Sequence, residues 1–154
     1  MINNDDNKIA ILTILNDSEY FSDIKNNHLL YCERYNYNYF VLNKRSDLSE
    51  DIIKKHNFIM FISTECLFLN QNILIEDLIS DKSKTFYIEN DNKLEIVIFK
   101  TLDKYNTNFI NLVKNNKLDI NFFNENNEIH YFDNNQLHSH YNEISPEKYI
   151  LSLN

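Results

Sequence analysis

The chain of 154 residues carries 23 Asp and Glu against 15 Lys and Arg, a net charge of -8 that leaves no concentrated basic surface to displace counterions from nucleic acid or an anionic membrane. With 43% hydrophobic residues and 14% aromatics it can bury the core of one domain, and it is too short for two comfortable ones. Glycine is absent and proline occurs once, as Pro146, which excludes the P-loop, the Gly-x-Gly-x-x-Gly turn and the Gly-x-Ser-x-Gly elbow, all of which need backbone without a Cβ.

Residues 1–7 read as a frayed, charged start without the basic and apolar segments of a secretion signal. Lys8 to Leu15 is a buried strand, and Asn16-Asp17-Ser18 supplies the N-cap of a helix from Glu19 to Tyr35. Tyr20, Ile24, His28, Tyr31 and Tyr35 share one face of that helix, so His28 reads as a helix-face residue. The helix ends at Asn36, and Tyr37 to Leu42 alternates as a second strand. Asp47 to Lys55 follows as a short helix with acidic residues first and lysines last, as the helix dipole favours.

The uninterrupted apolar run from Phe58 to Ile62 reads as a strand buried on both faces, in mid-sheet, and Ser63-Thr64-Glu65 breaks it before Cys66 resumes the run. Ile73 to Ile79 is a helical turn or two, and Thr85 to Ile88 and Ile96 to Phe99 are strands joined by a polar, hairpin-like segment. A helix capped by Asn106-Thr107 carries Phe109, Leu112 and Val113 on one face. A strand over Ile129 to Phe132, a helical stretch over Asn134 to Tyr141 and a tail over 142–154 complete the chain. Without glycine, backbone at positive φ falls to Asn and Asp, and Asn26-Asn27, Asn90-Asp91-Asn92, Asn115-Asn116 and Asn126-Asn127 are expected turns. Abundant Asn, Lys, Ile, Tyr and Phe also fit drift in an AT-rich genome. Cys32 and Cys66 lack metal-type spacing and read as buried thiols in a reducing compartment. No stretch approaches the roughly 20 apolar residues of a membrane span, so a soluble, cytoplasmic protein is expected.

The alternation of strands and helices predicts one α/β domain over 1–154, with a mixed, mostly parallel sheet flanked by helices. In such sheets ligands bind beyond the carboxyl ends of the strands, where Ser63, Thr64 and Glu65 stand. An Ile-Leu-Thr strand runs into Asn16-Asp17 and a tyrosine-bearing helix. Tyr31-Cys32-Glu33-Arg34-Tyr35-Asn36-Tyr37-Asn38-Tyr39 then leads to the apolar strand ending at Ser63-Thr64-Glu65, with Leu67-Phe68-Leu69-Asn70 beyond it. In this order and spacing the chain resembles the nucleotide-sugar-dependent glycosyltransferases of the GT-A fold, nearest the galactosyl- and mannosyltransferase-like group. There a Tyr-Ala-x-x-x-x-Tyr helix end and a Trp-x-Asp-x-Asp-x-x-x-x-Asn segment occupy corresponding places. The resemblance runs from about Lys8 to Phe99, and more faintly through Asp133-Asn134-Asn135-Gln136.

The resemblance implies transfer of a hexose from a nucleotide-diphosphate sugar to an acceptor, with Mn²⁺ or Mg²⁺ held by the Asp-x-Asp pair. Its first Asp falls on Ser63 and its second on Glu65, so one anionic ligand is replaced by a neutral hydroxyl, and Asp77, Glu95 or a histidine would have to compensate. Asn16, Asp17 and Thr64 fall beside the donor nucleotide, and Asp133 beside the acceptor. The family's Asn-Ala-Gly turn corresponds at best to Lys93-Leu94-Glu95, which has no small residue. His138 and His140, two apart, would form a joint site only in a loop or strand. The tyrosines at 31, 35, 37 and 39 read as packing rather than as base-stacking platforms. A second reading stays open: a degenerate GT-A-fold domain, or a small viral-type accessory protein, that binds or assembles with a protein partner.

Overall fold

The computed structural model describes residues 8–15, 21–64, 66–79, 84–89, 96–101, 111, 129–132 and 138–140. Strands β1 (Ile9–Ile14), β2 (Asn38–Leu42), β3 (Phe58–Ile62), β5 (Phe86–Glu89), β6 (Ile96–Lys100) and β7 (Ile129–Phe132) form one sheet in the order β2-β1-β3-β6-β5-β7. Strand β6 pairs antiparallel with both neighbours and the other pairings are parallel, so five strands run one way and β6 against them. Strand β4 (Cys66–Phe68) pairs antiparallel with β8 (His138–His140) in a separate two-stranded ribbon. The helices are α1 (Phe21–Tyr35), α2 (Glu50–Lys55) and α3 (Ile75–Leu78), with a 3₁₀ turn at Arg45–Asp47. This is the mixed, mostly parallel α/β sheet with flanking helices that the sequence predicts.

Strand β3 lies between β1 and β6, and its alternate residues feed both layers of the core. Phe58, Met60 and Ile62 join Ile9, Ile11 and Ile98 under Tyr31 and Cys32 of α1, while Ile59 packs with Ala10, Leu12 and Phe99 on the opposite face. That two-sided burial is why the run carries no polar residue. At the amino end of β3, Asn57 latches β1: its side-chain oxygen accepts from Lys8 N at 3.1 Å and its own N donates to Lys8 O at 2.8 Å.

Helix α1 ends in a Schellman arrangement. Tyr37 N donates to Cys32 O at 2.9 Å, Asn36 N to Glu33 O at 3.4 Å, and Asn36 takes φ 59°. In a chain without glycine an asparagine fills this left-handed position, because its short polar side chain tolerates it best among residues bearing a Cβ. Asn36→Val should therefore cost about 1–2 kcal/mol, whereas Asn36→Gly should be neutral or slightly stabilising; urea unfolding of both variants checks this.

Three expectations are corrected. Asn26 and Asn27 are not a turn; they sit inside α1, where Asn27 is fully buried. The helix expected over 47–55 is a 3₁₀ turn followed by α2, which begins after Ser49, whose side chain accepts from Ile52 N at 3.3 Å. Positions 138–140, expected in a helical stretch, are strand β8, since the edge of β4 offers backbone partners that a local helix cannot outbid. Of the helix expected after Asn106-Thr107, Asn111 is described and is helical; the rest of it, the turns at 90–92, 115–116 and 126–127 and both chain ends lie outside the described residues.

Candidate functional site

Strands β1, β2, β3, β5 and β7 all end at one edge of the sheet. There Thr13 Oγ1 donates to Ile62 O at 2.7 Å, tying the ends of β1 and β3 together, and Leu15 N donates to Leu42 O at 2.8 Å. Ser63 and Thr64 continue β3 beyond that edge, and Cys66 N donates to Ser63 O at 3.1 Å, which closes a four-residue turn over 63–66. The Ser63 side chain is partly exposed; Thr64 is 2% exposed, and its hydroxyl, like that of Thr85, has no hydrogen-bond partner among the described residues. A buried hydroxyl without a partner carries an uncompensated desolvation cost.

Behind the turn, α1 and the start of β2 form a wall of aromatic and polar groups. Tyr31 OH donates to Ile73 O at 2.6 Å, Tyr35 OH to Gln71 O, and Tyr37 OH to Glu76 Oε2 at 2.8 Å. Tyr37 OH also accepts from Ile75 N at 3.2 Å, so these rings fasten the 71–76 segment and the start of α3. Burial holds the Tyr31, Tyr37 and Tyr39 phenols well above their ordinary range and pushes the Cys32 thiol up to about 12, leaving all four neutral at physiological pH. These tyrosines pack and anchor, as the sequence suggests, and both cysteines are buried thiols. His28 is fully buried, with Nε2 2.7 Å from Cys66 O and Nδ1 2.8 Å from Tyr39 OH. The carbonyl can only accept, so Nε2 carries the hydrogen and Nδ1 accepts from Tyr39. Desolvation lowers the His28 pKa to about 4.

The sequence matches no family model and no curated protein. The fold does have solved counterparts. A glycosyltransferase involved in the glycosylation of the major capsid of PBCV-1 superposes with a TM-score of 0.64 at 14% identity, over 94% of this chain and 98% of that one. The chain has a GT-A-like glycosyltransferase fold. A Drosophila β-1,4-galactosyltransferase 7 mutant, crystallised with manganese, UDP-Gal and xylobiose, matches with a TM-score of 0.46 at 16% identity, over 87% of this chain and 70% of that one.

Within this GT-A-like fold, Ser63 and Thr64 are the sequence-predicted site residues that fall among those described, and both stand at the carboxyl edge. Asn16, Asp17, Glu65, Asp133 and Gln136 lie outside them, as does Glu95. The strands leading to these positions are placed nonetheless. β1 runs to Ile14, β3 to Ile62 and β7 to Phe132, all at the same edge. β1 and β3 are neighbours, whereas β7 is three strand spacings from β3, roughly 14 Å. Asp77, considered as a compensating ligand, instead accepts from Leu74 N at 3.3 Å at the start of α3.

Among the described residues no three His, Cys, Asp or Glu side chains converge to hold a metal ion. The described donors at the edge are the neutral hydroxyls of Ser63 and Thr64, which alone do not make a divalent-cation site. No helix among the described residues is long and apolar enough to cross a membrane. Sequence reasoning missed Asn27, whose side chain bonds the backbone of β4; its place on the buried face of α1, one residue before His28, was the available signal.

Proposed function

We propose that the carboxyl edge of this sheet binds a nucleotide-diphosphate sugar and that the protein transfers its hexose to an acceptor. The observation that supports this best is the GT-A-like fold, shared over nearly the whole of both chains with a glycosyltransferase, combined with a polar turn at the end of the central strand. We take residues 1–154 as one catalytic domain working in the cytoplasm.

In this reading Asn16 and Asp17 follow β1 and contact the nucleotide, while Thr64 and Glu65 follow β3 and meet the diphosphate. The orphaned Thr64 hydroxyl gains a partner when a donor oxygen reaches it. Glu65, assisted by the Ser63 hydroxyl, holds Mn²⁺ or Mg²⁺, which when bound neutralises charge on the departing nucleoside diphosphate. Asp133, next after β7 in the sequence, is the polar group beside the acceptor and takes its hydroxyl proton. Because one carboxylate replaces two, Glu65 bears most of the cation affinity.

Calorimetric titration with UDP, GDP and their hexose conjugates, with and without Mn²⁺, tests the reading. Binding should require Mn²⁺ and should weaken at least about 10-fold in Glu65→Ala. If the folded protein binds none of them, the transferase reading fails and the domain is better understood as a binding or assembly module.

A further inference from the structure

Helix α1 places two consecutive polar residues, Asn27 and His28, at 0% exposure in the core. Both are aimed at one three-residue strand. Asn27 Oδ1 accepts from Phe68 N at 2.7 Å and its Nδ2 donates to Phe68 O at 3.1 Å, while His28 Nε2 donates to Cys66 O at 2.7 Å. The carboxamide of Asn27 thus offers one acceptor and one donor to a single residue of β4, as the backbone of an adjoining strand would. On its other flank β4 pairs with β8, in the register Cys66 to His140 and Phe68 to His138. A strand too short to hold itself is fixed from both sides, once by backbone and once by side chains.

Burying an amide and an imidazole in a helix–sheet interface adds little net stability over apolar residues of similar size, because each must first lose its water. What the pair adds is direction. Cys66, whose carbonyl His28 holds, is the residue whose N closes the 63–66 turn onto Ser63 O at 3.1 Å. Ser63 and Thr64 are therefore bounded by β3 before them and by a strand clamped to α1 after them.

We propose that Asn27 and His28 are positioning residues that set the geometry of the 63–66 turn, and through it the donor site; the proposal rests on the reading that this turn meets the nucleotide sugar. Neither residue touches the ligand. Their removal should loosen the turn while leaving the sheet intact, and should weaken donor binding out of proportion to any loss of stability.

The test uses the full chain and four variants. Asn27→Leu and His28→Leu remove the bonds at similar volume, and His28→Gln restores an N–H for Cys66 O. Ile24→Val lightens the same buried face of α1 and removes none of the hydrogen bonds to β4. Amide exchange at Cys66 and Phe68 should accelerate at least 10-fold relative to Ile59 and Met60 in Asn27→Leu and His28→Leu, and less in His28→Gln. Mn²⁺-dependent UDP affinity should fall 10-fold or more in the two leucine variants, recover in part in His28→Gln and stay unchanged in Ile24→Val. Equal acceleration of β3 and β4, or faster exchange at β4 with UDP affinity unchanged, overturns the proposal. If Asn27→Leu does not fold, the comparison of His28→Leu with His28→Gln decides in the same way. If the wild-type chain binds no UDP, the donor-site reading fails, and the exchange result decides separately whether the two side chains hold the turn.

Discussion

Phe68→Ala is expected to lower stability by about 3–5 kcal/mol, enough to bring a domain of ordinary stability, about 5–15 kcal/mol, close to its unfolding threshold. The Phe68 ring is fully buried and stacks on Tyr31 with centroids 3.9 Å apart and planes 7° from parallel. It also meets the edge of His28 at 5.5 Å. Truncation would open a cavity between α1 and β4 and strip one face from Tyr31, whose hydroxyl is committed to Ile73 O and cannot swing in to fill the space. The Asn27 bonds to the Phe68 backbone would keep β4 from collapsing inward, which favours the upper half of that range. Urea unfolding followed by tyrosine near-ultraviolet circular dichroism measures the loss. Phe68→Leu, which keeps most of the volume, should cost about 1–2 kcal/mol. A loss below about 1 kcal/mol for the alanine variant would mean that β4 does not pack on α1.

Acidification should produce the second large effect. His28 has a pKa of about 4 in the folded protein against an ordinary 6.5, chiefly because burial disfavours its charged form. The unfolded chain therefore binds a proton that the native protein refuses throughout the window between those values. Native stability rises with pH across that window, is fully present above pH 6.5 and falls as the pH drops from 6.5 towards 4. From this one residue the expected loss is about 2 kcal/mol between pH 7 and pH 5, and about 3 kcal/mol by pH 4. Structurally, a proton on Nδ1 would face Tyr39 OH, which would have to give up donating and turn its hydrogen into the core. Urea midpoints measured at pH 7, 6, 5 and 4.5 should show this slope in the wild type and a shallower one in His28→Gln. Parallel slopes would show that His28 is not the group that titrates.

Much of the sheet is readable from the chain because β1, β3 and β6 are buried on both faces, and apolar runs such as Ile9 to Leu12 and Phe58 to Ile62 have no other use in a domain of this size. Asn36 is likewise readable, as the one residue after a periodic helix that can stand at positive φ. Strand β8 is not, because His-Ser-His has neither alternation nor β-branched residues and owes its conformation to a partner 70 to 74 residues away, at Cys66 to Phe68. Asn27 is hidden for a related reason: in an asparagine-rich sequence an Asn-Asn pair reads as a turn, and the backbone groups that make it a helix residue lie 41 positions onward. At the candidate site, Ser63 and Thr64 are found at the strand end where they are expected, but the clamp behind them is made of side chain to backbone bonds, which leave no periodic trace in the sequence.

The strand order also bears on how the chain comes together. The central strand β3 meets β1 across 49 residues and β6 across about 40, and β5 meets β7 over a similar span. Apart from the β1–β2 and β5–β6 pairings, little of the sheet can form from local segments, so loop closure must be paid before contacts return it, and assembly belongs to the millisecond-to-second regime rather than the microsecond one. During synthesis β1 and β2 emerge with apolar faces that wait for β3, and β3 in turn waits for β6. The Asn57 latch to Lys8 and the Thr13 bond to Ile62, one at each end of the β1–β3 pair, fix that parallel register in a chain that has no glycine.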